Sequence, residues 1–344
     1  MSMNADTSQF RVPATRAASI NNYVRALHSI GAPVSRVLAG TGISSDILES
    51  EDAIIPLERA FKFGELACHA VGTEHLPLVI GLPKTLEQYG SYGSLIQEAR
   101  TVYEYLSNGV RLYGMLISGQ RLWLSRHGDQ YRLNLATVGE PGLGSYQTHL
   151  QSLITTIAVL RRSLGQSWTP AEISFAYKSR EKLPDSDLLN DSIIIRGAGL
   201  SYISISKHEM TTAFRCEQAV TLHSPPMSVS GAIPEDFLGL VRVQIESLLP
   251  IGKHHIDFVA DSMMMSRRSL QRRLVEHQQS YSHLLAETRL NIASARLATS
   301  DQPISEIAAE LGYGDASNFS RAFRRKTGQS PRHYRISTKK PFHA

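Results

Sequence analysis

Cysteine is nearly absent from this chain of 344 residues, which holds only Cys68 and Cys216. Two thiols cannot build a disulfide framework, and neither stands at metal-ligand spacing, so a reduced cytoplasm is the expected compartment and no metal or cofactor is expected. No uncharged apolar run approaches the roughly 18 residues of a membrane-spanning helix. Residues 1–17 are polar, carry Arg11 and Arg16, and lack the apolar core of a signal peptide, so they read as a flexible tail. Neither a GxSxG elbow nor an HExxH pair is present. With 42% hydrophobic and 19% charged residues the composition excludes fibre, collagen and wholesale disorder, and the length leaves room for two domains.

Acidic charge is scarce in one region only. Residues 251–344 carry 15 Lys and Arg against 8 Asp and Glu, whereas residues 1–250 carry 21 against 23. The positive field of the chain therefore belongs to its C-terminal part, as an electrostatic footprint for phosphate requires.

That part holds two short arginine-bearing helical patterns about fifty positions apart. In the first, Ser266 can cap a helix, because its hydroxyl accepts from a backbone N–H of the first turn. Leu270 and Leu274 share one face, and at roughly 100° per residue Arg268 and Arg272 point nearly opposite, with Gln271 beside them. Upstream, residues 255–262 form a shorter amphipathic helix, and Met263, Met264 and Met265 are left as the turn. Helix, short turn, helix is the plan whose second helix enters a major groove. The second pattern repeats it. Ile304, Ile307, Ala308 and Leu311 share a face after Pro303, Gly312 breaks the helix, and Asp315 can cap residues 316–326. There Phe319 and Phe323 point inward while Ser317, Ser320, Arg321 and Arg324 point out. Gly328 ends this helix and Pro331 marks a stop. A joining helix over residues 281–299 spans roughly 28 Å at 1.5 Å per residue, against about 34 Å between successive major-groove faces.

The motifs Leu270-Gln271-Arg272-Arg273-Leu274, Arg289-Leu290-Asn291-Ile292-Ala293, Ile304-Ser305-Glu306-Ile307-Ala308, Leu311-Gly312-Tyr313, Phe319-Ser320-Arg321-Ala322-Phe323, Gly328, Ser330-Pro331 and Tyr334-Arg335 stand in this order over about eighty residues. With them residues 255–335 resemble the DNA-binding domain of AraC/XylS-type transcription regulators. The resemblance implies double-stranded DNA as a partner, with Arg268, Gln271 and Arg272 as one base-reading set and Ser317, Asn318 and Arg321 as the other. Phosphate contacts are expected from Ser266, Arg267, Arg273, Arg324 and Arg325 on the flanks of those helices. The three methionines depart from the family turn, which usually carries glycine near position 264.

Ahead of this domain the pattern is mixed. Helices are expected over residues 19–30, 34–39, 46–49, 56–71 and 148–164, with a helical pair through residues 90–116. Residues 121–125 and 130–138 read as a β-hairpin, and residues 172–178 and 201–207 as further strands. Leu27-His28-Ser29-Ile30-Gly31, residues 42–48, Ile80-Gly81-Leu82 and Tyr89-Gly90-Ser91-Tyr92-Gly93 carry a looser resemblance to the arabinose-binding-type effector domain of one branch of the same family. The expected architecture is thus an α+β N-terminal effector domain joined to an all-α C-terminal domain with two helix-turn-helix motifs connected by a long helix. Residues 18–219 form the first, residues 220–234, rich in proline and serine, the linker, residues 235–338 the second, and residues 339–344 a tail. The resemblance implies a small-molecule effector, a homodimer, and RNA polymerase as the machinery addressed.

Other readings of single features are weaker. The glycines of residues 90–94 lack the Walker lysine and suit a structural turn. His254, His255, His277 and His283 have no usual zinc spacing. Cys68 and His69, adjacent on a helix, diverge by about 100° and suit a small buried hydrophobe beside a surface histidine rather than a catalytic pair. Of Phe61, Phe63, Tyr103, Tyr105, Tyr113, Trp123 and Tyr131, most suit the core and a minority a ligand pocket. An enzyme with an autoregulatory DNA-binding tail and an effector-independent architectural DNA binder stand as alternatives.

Overall fold

The computed structural model describes residues 13–80, 86–137, 141–215, 232–234, 236–263 and 265–339. Gly81, Leu82, Val138, Cys216 and Met264, singled out above, lie outside them, as do residues 1–12 and 340–344 of the tails and residues 220–231 of the linker. Two compact units result among the described residues, one formed by residues 13–215 with residues 232 and 233, the other by residues 234, 236–263 and 265–339.

The N-terminal unit opens on a strand where a loose tail was expected. Strand β1 (Ala14–Arg16) pairs antiparallel with β2 (Ile54–Pro56) in the register Ala14 to Pro56 and Arg16 to Ile54. The buried Arg16 anchors it: Nε donates to the Met115 carbonyl and Nη1 to the Asp52 carbonyl at 3.1 Å. A buried guanidinium facing carbonyls looks, in sequence, like a tail charge. The expected tail therefore ends at residue 12 at the latest.

Helices α1 (Ala17–Ser29), α2 (Val34–Thr41), α3 (Leu57–Val71), α4 (Leu76–Ile80), α5 (Gly90–Ile96) and α6 (Val102–Leu112) follow, with a 3-10 turn at Ile47–Glu49. The hairpin pairs β3 (Gln120–His127) with β4 (Gln130–Thr137). Its two-residue loop starts at Gly128 with φ of 62°, which glycine takes without steric cost. Helix α7 (Leu143–Leu164) then crosses the unit. It begins five residues before the expected start because Ser145 Oγ accepts from the Gly142 N–H at 3.0 Å, an N-terminal cap hidden among glycines. Gly144 belongs there: a Cβ would stand 2.6 Å from the Phe61 carbonyl oxygen of α3. Strands β5 (Glu172–Phe175), β6 (Ile193–Arg196) and β7 (Ser201–Ser206) complete a five-stranded sheet of order β3-β4-β7-β5-β6, parallel only between β5 and β6, and α8 (Lys207–Met210) follows β7. Strand β6, at the edge, was not foreseen. Leu150, Leu153, Ile154, Ile157 and Leu160 of α7 are fully buried beside Ile173, Phe175, Ile203 and Ile205 of the sheet. The last linker residues pack onto this unit, Ile233 being buried with its N–H donating to the Gly114 carbonyl at 2.7 Å.

Every regular element described in the C-terminal unit is a helix: α9 (Phe237–Leu248), α10 (Ile256–Ser262), α11 (Arg267–Glu276), α12 (Tyr281–Thr299), α13 (Ile304–Glu310), α14 (Ala316–Thr327) and α15 (Pro331–Lys339). Helix α14 ends before Gly328 and Pro331 as expected, and Pro331 does more. It starts α15, where its missing N–H would have had no partner, and Tyr334 meets Phe323 edge-on at 5.4 Å. One core unites the unit, with Val241 and Ile245 of α9, Leu270 and Leu274 of α11, Leu284, Ala293 and Leu297 of α12, Ile307 of α13, and Phe319 and Phe323 of α14.

Candidate nucleic-acid interface and ligand cavity

Helix α11 is set by its cap and its leucines. Ser266 Oγ accepts from the Ser269 N–H at 3.1 Å, so this phosphate candidate serves first as the N-cap. Leu270 and Leu274 are buried, which turns Arg268, Gln271 and Arg272 to solvent together. Arg272 Nε lies 3.8 Å from Glu276 Oε1 one turn on, an exposed pair that adds little to stability. The flanking candidates divide. Arg267 stays exposed, 3.5 Å from Asp257. Arg273 turns inward, its guanidinium carbon 5.7 Å from the Phe237 ring centroid, so the structure gives it a packing role against α9.

Helix α14 repeats the logic with more polar wiring. Asp315 Oδ1 accepts from the Asn318 N–H and its Oδ2 from Asn318 Nδ2, both at 2.6 Å, and Asn318 Oδ1 accepts from Arg321 Nη2 at 2.6 Å. The cap thus aligns an amide and a guanidinium along one exposed ridge, beside Ser317. Arg324 and Arg325 are exposed in the last turn, where positive charge also suits the helix dipole. Asp315→Ala should cost about 0.5 to 2 kcal/mol of stability and loosen Arg321; urea unfolding reads the first and DNA affinity the second. Unchanged values for both would remove the cap from this account.

The two motifs are tied by contacts between residues far apart in sequence. Arg289 of α12 lies 4.8 Å over the Tyr313 ring, and its Nη2 donates to the Gly312 carbonyl at 3.2 Å. Tyr281 donates to the His254 carbonyl at 2.6 Å. Gly312 has φ of 69°, and a Cβ there would come within 2.5 Å of His254 Cε1. The turn of the second motif is thereby fastened to the joining helix and to the chain entering the first. Burial, with Arg289 and His255 adding to it, lowers the His254 pKa and favours the neutral ring. Arg296 and Glu310 form a further ion pair between α12 and α13.

The N-terminal unit holds a partly open cavity of about 90 Å³ between its helices and the sheet. Tyr23, Phe63, Tyr89, Tyr92, Tyr105 and Tyr113 supply most of its ring surface, with Gln147, Gln151 and several threonines as polar groups. Among the described residues no Asp, Glu, Lys, Arg or His lines it. Phe63, Tyr105 and Tyr113 had been singled out as aromatics of either role; Tyr23, Tyr89 and Tyr92 had not, since segments far apart in sequence bring them together. Cys68 is a buried thiol whose pKa burial pushes up to about 12, inert as expected for a small hydrophobe. Ser179 lies 3.2 Å from His75 Nε2, but its single proton is best placed on Glu74 Oε2 at 2.7 Å, and His75 Nδ1 meets the Tyr146 hydroxyl at 2.8 Å. This cluster fastens a loop.

With that geometry in place, comparison with known proteins is direct. Residues 259–337 match the helix-turn-helix domain family, and residues 31–188 match the arabinose-binding domain of AraC transcription regulator, N-term. The regulatory protein SoxS of Escherichia coli is 40% identical over 83 residues, covering 24% of this chain and 77% of that protein. The ornithine utilization regulator of Pseudomonas aeruginosa is 40% identical over 80 residues, 23% of this chain. The match spans only 24% of that relative's length, and 32% of the length of the regulator VirS of Mycobacterium tuberculosis, which is 34% identical over 114 residues. An uncharacterized HTH-type transcriptional regulator of the same organism is 23% identical over 331 residues, covering 88% of this chain and 91% of that protein. The fold and these matches define a chain with an arabinose-binding-type N-terminal domain followed by a C-terminal helix-turn-helix domain. The chain belongs to the AraC family. Among the described residues no helix is long and apolar enough to cross a membrane.

Proposed function

We propose that the protein is a small-molecule-responsive regulator, rather than an enzyme, that reads two adjacent major grooves of one duplex with α11 and α14. The observation that carries this is the pair of capped helices, each with an exposed arginine ridge, held by one core around α12. Arg268 and Arg272 suit guanine O6 and N7, and Gln271 suits adenine N6 and N7, each good bidentate pair giving roughly 1 to 3 kcal/mol of discrimination. Arg321, oriented through Asn318, reads the second groove with Ser317. Arg267, Arg324 and Arg325, with Ser266, hold phosphates. The N-terminal unit binds the effector in its cavity and pairs two chains, and the ligand shifts the population of dimers whose readers are correctly set for RNA polymerase on the promoter. A tenfold preference needs about 1.4 kcal/mol of differential affinity. The setting is the bacterial cytoplasm.

Two-groove reading is tested on a site selected by the full chain from random DNA. Inserting five base pairs between the two protected segments turns the second away by half a helical turn, and affinity should drop roughly a hundredfold. Equal affinity for the original and expanded sites would show that one reader suffices.

A further inference from the structure

The turn that precedes α14 is gripped by two side chains that can both carry positive charge. Resting on the reading that α14 contacts DNA, we infer that His254 and Arg289 form a latch over Gly312 that closes only while the His254 ring is neutral, so that acid frees the turn and weakens sequence-specific binding by the second reader.

The geometry of the latch is tight. Arg289 Nη2 donates to the Gly312 carbonyl at 3.2 Å, and the guanidinium lies 4.8 Å from the Tyr313 ring centroid. The His254 ring stands so close that a Cβ on Gly312 would meet its Cε1 at 2.5 Å. The same point lies 3.0 Å from His254 Nδ1 and 3.1 Å from Arg289 Nη2, so the two nitrogens stand within about 6 Å of each other, a range over which one charge disfavours another. The Tyr281 hydroxyl donates to the His254 carbonyl at 2.6 Å and fixes the residue that leads into α10. Tyr313 meets Phe319 of α14 at 5.5 Å, so a shift of the turn reaches the helix.

The surroundings suit a neutral imidazole and not a cation. His254 Nδ1 is buried and, among the described residues, has no hydrogen-bond partner. A proton there would find no acceptor and would face Arg289, which keeps its charge at every pH the protein meets. Burial, Arg289 and His255 all act against the charged ring. The other charged groups nearby are engaged elsewhere or add to the positive side. On its own stretch Lys253 is a further cation, and Asp257 pairs with Arg267 at 3.5 Å. On α12 burial raises the pKa of Tyr281 and keeps its phenol protonated, and Glu287 pairs with Arg242 of α9 at 3.1 Å. Glu246 of α9 bears on Arg296, Glu310 of α13 pairs with that same arginine, and Asp315 caps α14. A freely exposed imidazole titrates near pH 6.5. The open turn therefore takes the proton first as pH falls. Closure is fully present above about pH 6.5 and is lost progressively below it.

The test joins NMR of the full chain, labelled with carbon-13 histidine, to DNA binding. The imidazole resonance that His254→Asn removes is that of His254. In the wild type it should titrate below pH 6.5, and Arg289→Met, which keeps bulk and removes the charge, should raise its midpoint by about half a unit or more. By fluorescence anisotropy the ratio of affinities for selected and scrambled DNA should fall about fivefold from pH 7.5 to pH 5.5, because only closed molecules read both grooves. Scrambled DNA cancels the charge that exposed histidines gain, and His254→Asn should hold the ratio constant. Three results overturn the inference. One is a His254 midpoint at or above pH 6.5, and another is a midpoint that Arg289→Met leaves in place. The third is a DNA ratio that acid leaves unchanged in the wild type, or lowers equally in His254→Asn, on a site that the five-base-pair insertion shows to need both readers. Should His254→Asn not fold, Arg289→Met decides: one imidazole resonance with a raised midpoint supports the latch, and none overturns it. The DNA reading is judged separately at pH 7.5, where the latch is closed. Equal affinity there for the original and expanded sites sinks two-groove reading and leaves the titration of His254 as it stands.

Discussion

Phe319→Ala should destabilise the helical unit by about 3 to 5 kcal/mol, the cost of deleting a fully packed phenyl ring. Phe319 is 2% exposed and sits between Tyr313, 5.5 Å away in the turn before α14, and Phe323, 5.7 Å away on the next turn of the same helix. Its ring therefore seats both α14 and the turn that precedes it. The loss is a large part of the roughly 5 to 15 kcal/mol that holds a domain together. Urea unfolding followed by circular dichroism should show it as a lower midpoint at unchanged slope, and DNA binding should weaken through the second reader while α11 keeps its contacts. A loss below 1 kcal/mol would mean that α14 is held by something other than this aromatic core.

Acid should weaken the N-terminal unit through His149. Its ring is 4% exposed, with Nδ1 at 2.9 Å from Ser201 Oγ and Nε2 at 2.8 Å from Thr137 Oγ1. Burial alone, with no charged neighbour contributing, depresses its pKa to about 4. In the unfolded chain an imidazole titrates near pH 6.5. The unfolded state therefore takes the proton first as pH falls. Stability is fully present above about pH 6.5 and is lost progressively down to about pH 4, by roughly 3 kcal/mol in all. His75, whose pKa burial also lowers, adds in the same direction. Urea midpoints of the full chain at pH 7.5 and pH 5 read the effect, and His149→Gln, which keeps a donor and an acceptor, should flatten the pH dependence. A pH slope that the substitution leaves untouched would assign the acid loss to other groups.

The two units differ in how far sequence exposes them, and the reason is local signalling. In the helical unit each boundary is written beside the helix it ends: Ser266, Ser280 and Asp315 accept from the N–H three residues on, and Gly328 takes φ of 77°. Helix α12 accordingly runs over Tyr281–Thr299 as expected. Helix α14 stops before Gly328 as expected, and Pro331, beyond that stop, also starts α15, since proline suits a first helical position. In the N-terminal unit β1, β2 and β6 have three or four residues, too few for an alternating pattern, and the buried Arg16 reads as solvent-facing. The hairpin was legible because Gly128 and alternating Tyr131, Leu133 and Leu135 speak together.

The candidate site follows the same division. Arg268, Gln271 and Arg272 share a face by helical spacing alone, and so do Asp315, Asn318 and Arg321 by steps of three. Arg273 could not be told from its neighbours, because only the partner helix shows that Phe237 lies beneath it. The grip of Arg289 on Gly312 crosses 23 positions, and the cavity gathers tyrosines from residue 23 to residue 113. No local period carries such contacts.

The most direct measurement of the central claim is fluorescence anisotropy of the full chain on its selected DNA site and on a scrambled duplex, at several salt concentrations. Affinity for the selected site should exceed that for scrambled DNA by about a thousandfold or more, and should fall linearly on logarithmic axes as salt rises. Arg268→Ala and Arg321→Ala should each remove about 1 to 3 kcal/mol from the specific complex and little from the nonspecific one. Equal binding to both duplexes, or equal losses on both, would contradict sequence reading by α11 and α14 and leave a protein that holds DNA only by its phosphates.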